Sequence, residues 1–278
     1  MYKALSPDCI GHPIALGESA PIIAKNGFEG VWLKLPRDGT ADANQTRELL
    51  SKYRLRASGF SLPVVFRKDE RVFGEGMENL ENHARYAREI GMDRCITCVF
   101  PGSDTLTYAE NFELHRKRLG EAAKVLKEYG IRLGIEFVGT PSMRRAFRYE
   151  FIHNLDQLLE LCGAIGTGNV GLLMDVWHWQ MAGQVPDDFK KIPDESWVVL
   201  AHIMDAPAGL TVDQQQDTVR CLPGTTGVLK IDDFFQGLAD LGYTGPVIPE
   251  PFDPKLGQMP FGDAVKAVKE SVDKVWPK

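Results

Sequence analysis

Four times along this chain a helical pattern runs into a glycine, and a short β-type run follows within a few residues. The joints are Ala24-Lys25-Asn26-Gly27 before Val31-Trp32-Leu33, Arg88-Glu89-Ile90-Gly91 before Cys95 to Val99, Lys127-Glu128-Tyr129-Gly130 before Ile131 to Val138, and Ala239-Asp240-Leu241-Gly242 before Val247-Ile248. A glycine just past a helix end supplies the left-handed turn that stops the helix and releases the chain into a strand. Repeated joints of this kind imply parallel strands linked by crossover helices.

Eight strand-like runs can be read: Ala4 to Ile10, Gly30 to Leu35, Arg56 to Leu62, Arg94 to Phe100, Arg132 to Val138, Val170 to Val176, Val198 to Met204 and Pro246 to Glu250. The segments between them are amphipathic. The strongest helix runs from Tyr108 to Tyr129, with a capping box from Thr107 and Glu110 and one apolar stripe of Phe112, Leu119, Ala122, Ala123 and Leu126. Asp232 is expected to cap a helix carrying Phe234, Phe235, Leu238 and Leu241, and a last helix begins near Gly262. Gln180 to Trp197, cut by Pro186 and Pro193, is the poorest helical segment, and Ala208 to Thr226 reads as a long loop. Eight βα units in 278 residues have the proportions of a single-domain α/β protein, a (β/α)8 TIM barrel. The open doubly wound alternative favours a glycine-rich turn after the first strand, but Ile10-Gly11-His12-Pro13 contains no such fingerprint.

Several apolar runs end abruptly on ligand-type side chains. Leu133-Gly134-Ile135 ends on Glu136, Gly171 to Met174 on Asp175, Val198 to Ala201 on His202, and Val247-Ile248-Pro249 on Glu250. In a barrel these are the C-terminal ends of strands five to eight, side by side on the face where active sites are built. Three carboxylates and one imidazole make an oxygen-rich set suited to a divalent ion such as Mn²⁺, Mg²⁺ or Co²⁺. His178, three residues after Asp175, can reach a substrate hydroxyl or orient a ligand, or simply pack between Trp177 and Trp179. Those tryptophans can stack on a sugar ring or cap the barrel mouth. Arg220 can bind substrate oxygens or form a surface ion pair. His12, at the end of strand one, is placed to line the pocket, with Lys34 and Ser61 as weaker candidates. Arg144, Arg145 and Arg148 read as a solvated charge run more than an anion site.

Other classes fit poorly. The net charge of −6 argues against a nucleic-acid partner. No apolar run approaches the ~20 residues needed to span a bilayer. The N-terminal residues lack the basic start and apolar core of a secretory signal. Five scattered cysteines fit a reducing cytoplasm, and Cys95 and Cys98 read as core packing on a strand. A cytoplasmic protein acting on a small molecule is therefore expected. Exposed helical faces would suit a homo-oligomer or a partner subunit.

The motifs Gly134-Ile135-Glu136, Met174-Asp175-Val176-Trp177-His178, Ala201-His202-Ile203-Met204-Asp205, Arg220-Cys221-Leu222-Pro223-Gly224 and Pro249-Glu250 together resemble the xylose isomerase-like TIM-barrel superfamily of sugar isomerases and epimerases. The resemblance covers nearly the whole chain. It implies that Glu136, Asp175, His202 and Glu250 bind one divalent ion, commonly manganese, and that Glu136 and Glu250 act as acid and base. It also implies that His178 and Arg220 contact the substrate, although the stretch between His202 and Arg220 is longer than in compact epimerases. The expected activity is isomerisation or epimerisation of a ketose, inosose or related oxo-sugar through an enediolate. The alternative is a lyase or dehydratase that eliminates a β-leaving group from the same intermediate. Endonucleases sharing this barrel need a histidine-rich zinc cluster, whereas only six histidines occur here.

Overall fold

The glycine joints act as their spacing predicts. Gly27, Gly91, Gly130 and Gly242 all adopt positive φ, between 71° and 80°, and each lies just beyond a helix. The computed structural model describes residues 1–36 and 42–278. The barrel strands are β1 (Tyr2–Leu5), β2 (Gly30–Trp32), β3 (Arg56–Ser61), β4 (Arg94–Val99), β5 (Arg132–Phe137), β6 (Val170–Asp175), β7 (Val198–Ile203) and β8 (Pro246–Pro249). All neighbours pair in parallel, and β1 pairs with both β8 and β2, closing the sheet. Outside it lie α1 (Leu16–Lys25), α2 (Ala43–Tyr53), α3 (Glu70–Glu89), α4 (Tyr108–Glu128), α5 (Leu155–Ile165), α6 (Val176–Met181), α7 (Ile231–Asp240) and α8 (Phe261–Val275).

Strand alternation divides the apolar residues into two cores. Tyr2, Ala4, Leu173, Leu200 and Ile248, with Trp32 and Ile96 against them, fill the lumen. Residues on the opposite strand faces pack against the helices. In α4, Leu119, Ala122, Ala123 and Leu126 are completely buried, while Phe112 lies at the stripe's edge. The Glu110 carboxylate accepts from the Thr107 N–H at 2.9 Å, forming the expected box.

Several boundaries differ from the sequence reading. The first strand ends at Leu5 and not Ile10, because Pro7 has no N–H for the ladder; Asp8–Ile10 instead form a 3₁₀ turn. The second stops at Trp32, where its pairing with β3 shifts register. Asp232 is not the cap of α7. Lys230 holds that position, its N–H donating to the Gln180 side chain at 2.7 Å, and Asp232 lies in the first turn, where its charge suits the helix dipole. Helix formation after β6 begins at Val176, earlier than expected, and residues 186–191 form a 3₁₀ turn started by Pro186. The sequence reading also missed a small antiparallel ribbon, Gly102–Ser103 with Tyr149–Glu150, near the barrel mouth.

Candidate metal centre at the barrel mouth

Because side chains alternate along a strand, the position two residues beyond a lumen residue also faces the lumen. Asp175 follows Leu173 and His202 follows Leu200 in this way, and Asp175 and His202 are direct register partners. Glu136 sits on β5 opposite Cys98 of β4. Glu250, one residue beyond β8, follows Ile248, and its N–H donates to the Ile203 carbonyl at 3.0 Å. The structure therefore brings all four strand-end residues together.

His202 Nδ1 lies 3.5 Å from Glu250 Oε2 and 3.8 Å from both Glu136 Oε1 and Asp175 Oδ2. Glu136 Oε1 and His202 Nδ1 are buried and have no hydrogen-bond partner. Orphaned buried polar atoms are rare, and two facing each other call for a shared partner. Donor atoms at this spacing suit ligands sharing one small cation at about 2.0–2.2 Å. The residues present thus fit a divalent metal ion. A second grouping, Glu136, Asp175 and His178, overlaps the first. In it His178 is the weaker donor, since its Nδ1 faces the Gly139 N–H at 3.4 Å.

Arg220 is not a surface residue. It forms the inner wall of the site, with its side chain sealed from solvent. Nη1 donates to Asp175 Oδ2 at 3.0 Å and to Glu250 Oε2 at 2.9 Å, and Nη2 donates to Asp217 Oδ1 at 2.6 Å. The guanidinium stands 5.3 Å from the Trp177 ring centroid and 4.8 Å from that of Phe252. Phe252 has φ of 42°, a strained value for a bulky residue, at the point where its ring meets this cation.

The charges are strongly asymmetric. Burial pushes the Glu136 carboxyl well up, and the neighbouring Asp175 and Glu250 charges push it further. Burial also opposes ionisation of Asp175 and Glu250. For Asp175, Arg220 followed by His178 and His202 overcome that effect, and for Glu250, His202 and Arg220 do, so both carboxyls fall below their ordinary values. Burial disfavours the His202 cation, yet Glu250, Asp175 and Glu136 together raise it to about 10.

The remaining candidates are placed differently. Trp177 is wholly buried, its Nε1 3.4 Å from Thr140 Oγ1, and offers no open face for a sugar ring. Trp179 does not cap the mouth but packs among Phe189 and Phe234 in the helical layer. His12 has Nε2 2.9 Å from the Leu256 carbonyl and its ring against Phe261, and no hydrogen bond ties it to the four-residue cluster. Lys34 lines a separate cleft of about 420 Å³, with Ser6 and Trp32. Ser61 is exposed. Arg144 and Arg145 pair with Glu150 and Asp213, as expected for a surface charge run.

Some residues at the site escaped sequence reasoning. Cys9, in the 3₁₀ turn after β1, donates its thiol to Glu250 Oε1 at 3.7 Å. Cys98 belongs to the mouth more than to the core. Burial first, and then the Glu136 charge, raise its thiol to about 11, whereas Cys95 is fully buried as expected. Asp217 joins from the loop before Arg220. Asp205, the last residue of the histidine-containing motif, is completely buried and accepts backbone N–H groups from Ala206, Thr226, Gly227 and Leu229 at 2.8–3.1 Å. It ties both ends of the long β7–α7 loop to the barrel.

Among the described residues no helix is long and apolar enough to cross a membrane. An inosose isomerase of Halalkalibacterium halodurans is 24% identical over 262 residues, covering 90% of this chain and 88% of that protein. A xylose isomerase domain protein of Alicyclobacillus acidocaldarius superposes with a TM-score of 0.86 at 25% identity, over 99% of this chain and 98% of its own. The IolI protein, solved with a bound zinc atom, superposes with a TM-score of 0.83 at 18% identity, over the same shares of the two chains. The family model described as the xylose isomerase-like TIM barrel matches residues 21–276, and the chain belongs to that family.

Proposed function

We propose that the protein is a divalent-metal-dependent isomerase or epimerase of a polyhydroxy ketone, a ketose or an inosose, working through an enediolate. The observation that carries this reading is the convergence of Glu136, Asp175, His202 and Glu250, with Glu136 Oε1 and His202 Nδ1 buried and unpartnered between them. The similarity to an inosose isomerase supports the substrate class.

Glu136, Asp175, His202 and Glu250 would hold the ion. When bound, a divalent cation supplies the positive charge that favours an enediolate over the ketone. The oxygen-rich donor set suits Mn²⁺, with Mg²⁺ and Co²⁺ close behind, and zinc is the ion in the IolI structure.

The chain's own residues supply the proton chemistry. Glu250, kept ionised beside His202 and Arg220, takes the proton α to the carbonyl. Glu136, the opposing carboxyl, returns a proton taken up from solvent. The two reach the cluster from β5 and β8, with β6 and β7 between them, so they flank a substrate carbon held at the mouth. Return to the opposite face gives an epimer. Return to the neighbouring carbon gives the isomeric carbonyl. Arg220 and His178 close one side as the proposed substrate contacts; in the metal-free protein the guanidinium N–H groups are taken by Asp175, Glu250, Asp217 and His178. Loss of a β-leaving group from the same intermediate would give a lyase, and the product distinguishes the two.

The test is protein stripped with EDTA, reloaded with Mn²⁺ or another divalent ion, and given a panel of ketoses and inososes. Metal-dependent formation of an epimer or isomer is expected. Full turnover in EDTA, or no turnover of any polyhydroxy ketone, would overturn the reading.

A further inference from the structure

Beside the mouth, and lined by none of the four candidate ligands, lies a cavity of about 110 Å³ between the β3–α3 loop, the β4–α4 loop and the first turns of α4. Arg67, Phe100 and His115 are among the residues that line it. At ~30 Å³ for each water in the liquid, this is the bulk of roughly three to four waters, or of one ligand of two or three carbons.

His115 is only 2% exposed and leaves one ring nitrogen unused. Nδ1 faces the Asn111 carbonyl, one turn back in α4, at 2.8 Å. A carbonyl can only accept, so Nδ1 carries a proton. Burial, joined by the Arg67 and Arg118 charges, keeps the ring neutral against the pull of that hydrogen bond. Nε2 is therefore a bare acceptor, and it is buried without a hydrogen-bond partner. Phe66 and Phe151 pack against the ring and cannot supply one. A lone pair buried in this way calls for an O–H or N–H donor.

Arg67 offers the complementary half. The buried Arg118 donates through Nη1 to the carbonyls of both its neighbours, to Phe66 at 2.8 Å and to Lys68, and so fixes this loop on α4. The Arg67 guanidinium stands 4.2 Å from the Phe100 ring centroid and gives Nη1 to the Cys98 carbonyl at 2.6 Å. It meets no carboxylate among the described residues, so its other N–H groups are available to an oxyanion.

We propose that this cavity is a second binding site, separate from the metal centre, for a small oxyanion that carries its own hydroxyl, such as a short hydroxycarboxylate. The anionic oxygens sit on Arg67, and the hydroxyl donates to His115 Nε2. A plain carboxylate satisfies only the first contact and a neutral alcohol only the second.

The probes are glycolate and acetate, alike in charge and differing by one hydroxyl. Each is titrated into ¹⁵N-labelled protein loaded with diamagnetic Mg²⁺. The signals followed are His115 Nε2 and the Arg67 Nε–H, assigned with His115→Phe and Arg67→Gln. Both report on this cavity, so either acid binding at the metal centre does not enter the reading. Glycolate is expected to move both signals saturably and to bind on the order of tenfold tighter than acetate, the worth of one hydrogen bond. Acetate should move the Arg67 signal alone. His115→Phe, which keeps the ring packing, should lower glycolate affinity to that of acetate, and Arg67→Gln should weaken glycolate binding as read at His115. Equal affinity for the two acids in the wild type, an adventitious ion only, would overturn the proposal. So would a His115 Nε2 signal that glycolate leaves in place.

Discussion

Arg220 Nη1 lies 3.0 Å from Asp175 Oδ2, and both side chains are shut off from solvent. The contact joins a loop residue to a strand-end carboxylate inside the proposed metal centre, so charge balance there depends on the loop. Removing one partner of a buried pair strands the other charge. Arg220→Ala should therefore cost the metal-free protein about 3–5 kcal/mol, read by urea unfolding. A divalent ion should recover part of the loss, because it supplies positive charge to the same carboxylates. A loss below ~1 kcal/mol, the range of a surface pair, would place Arg220 outside the centre.

Metal uptake should release protons. A metal ligand must be deprotonated, yet His202 carries its proton up to about pH 10 and Glu136 is also pushed towards its protonated form. Raising the pH removes these competing protons, so affinity should rise with pH across the neutral range. Calorimetry in buffers of differing ionisation heat should show release of about one to two protons per ion at pH 7. Zero release would contradict the assignment of His202 and Glu136 as ligands.

Asp205 is the staple of the β7–α7 loop, with four backbone N–H groups on one buried carboxylate. Asp205→Ala should destabilise the fold by about 3–5 kcal/mol, since several buried donors lose a charged acceptor. It should also expose residues 206–229 to faster hydrogen exchange and lower kcat/KM, although no proposed metal ligand is touched. Wild-type exchange in that loop would show that Asp205 does not anchor it.

Gly139 shapes the back of the site. A Cβ there would lie 2.2 Å from the His178 carbonyl oxygen, against rigid backbone. Gly139→Ala should cost at least about 2 kcal/mol through overpacking and displace His178. A wild-type melting temperature would show that the two segments separate freely.

Burial holds His115 down at about 4, and the hydrogen bond to the Asn111 carbonyl only partly opposes this. The unfolded chain protonates this histidine below about pH 6.5 whereas the folded protein resists, so stability is intact above that pH and falls as pH drops towards 4. The loss is on the order of 3 kcal/mol. His115→Gln should flatten that slope in urea unfolding between pH 6.5 and 4, and an unchanged slope would assign it to other groups.

The barrel and the four candidate ligands were legible because both follow from periodicity. Glycine joints mark strand entry, and an apolar run ending on a carboxylate or imidazole marks the mouth. Strand ends were overextended because Pro7 and the β2 register shift act through the ladder, which composition does not reveal. Asp217 was missed because it sits on irregular backbone, where sequence spacing carries no direction, and Cys9 because the first strand was read through to Ile10 whereas it ends at Leu5. Arg220 was found, but not its burial, which depends on Asp205 folding the loop inward. The paired tryptophans were misplaced because helix α6 starts at Val176, earlier than the sequence suggested, and turns Trp179 into the helical layer.

The most direct test of the central claim is solvent-deuterium exchange followed by NMR. Protein loaded with Mn²⁺ or stripped with EDTA is incubated in deuterated water with ketoses and inososes, alongside Glu136→Gln and Glu250→Gln. The expected result is metal-dependent deuterium at the carbon α to the carbonyl, lost in Glu250→Gln and incorporated without a net epimer or isomer in Glu136→Gln. Product formation without deuterium at that carbon, or exchange that persists in Glu250→Gln, would contradict an enediolate formed by these two glutamates.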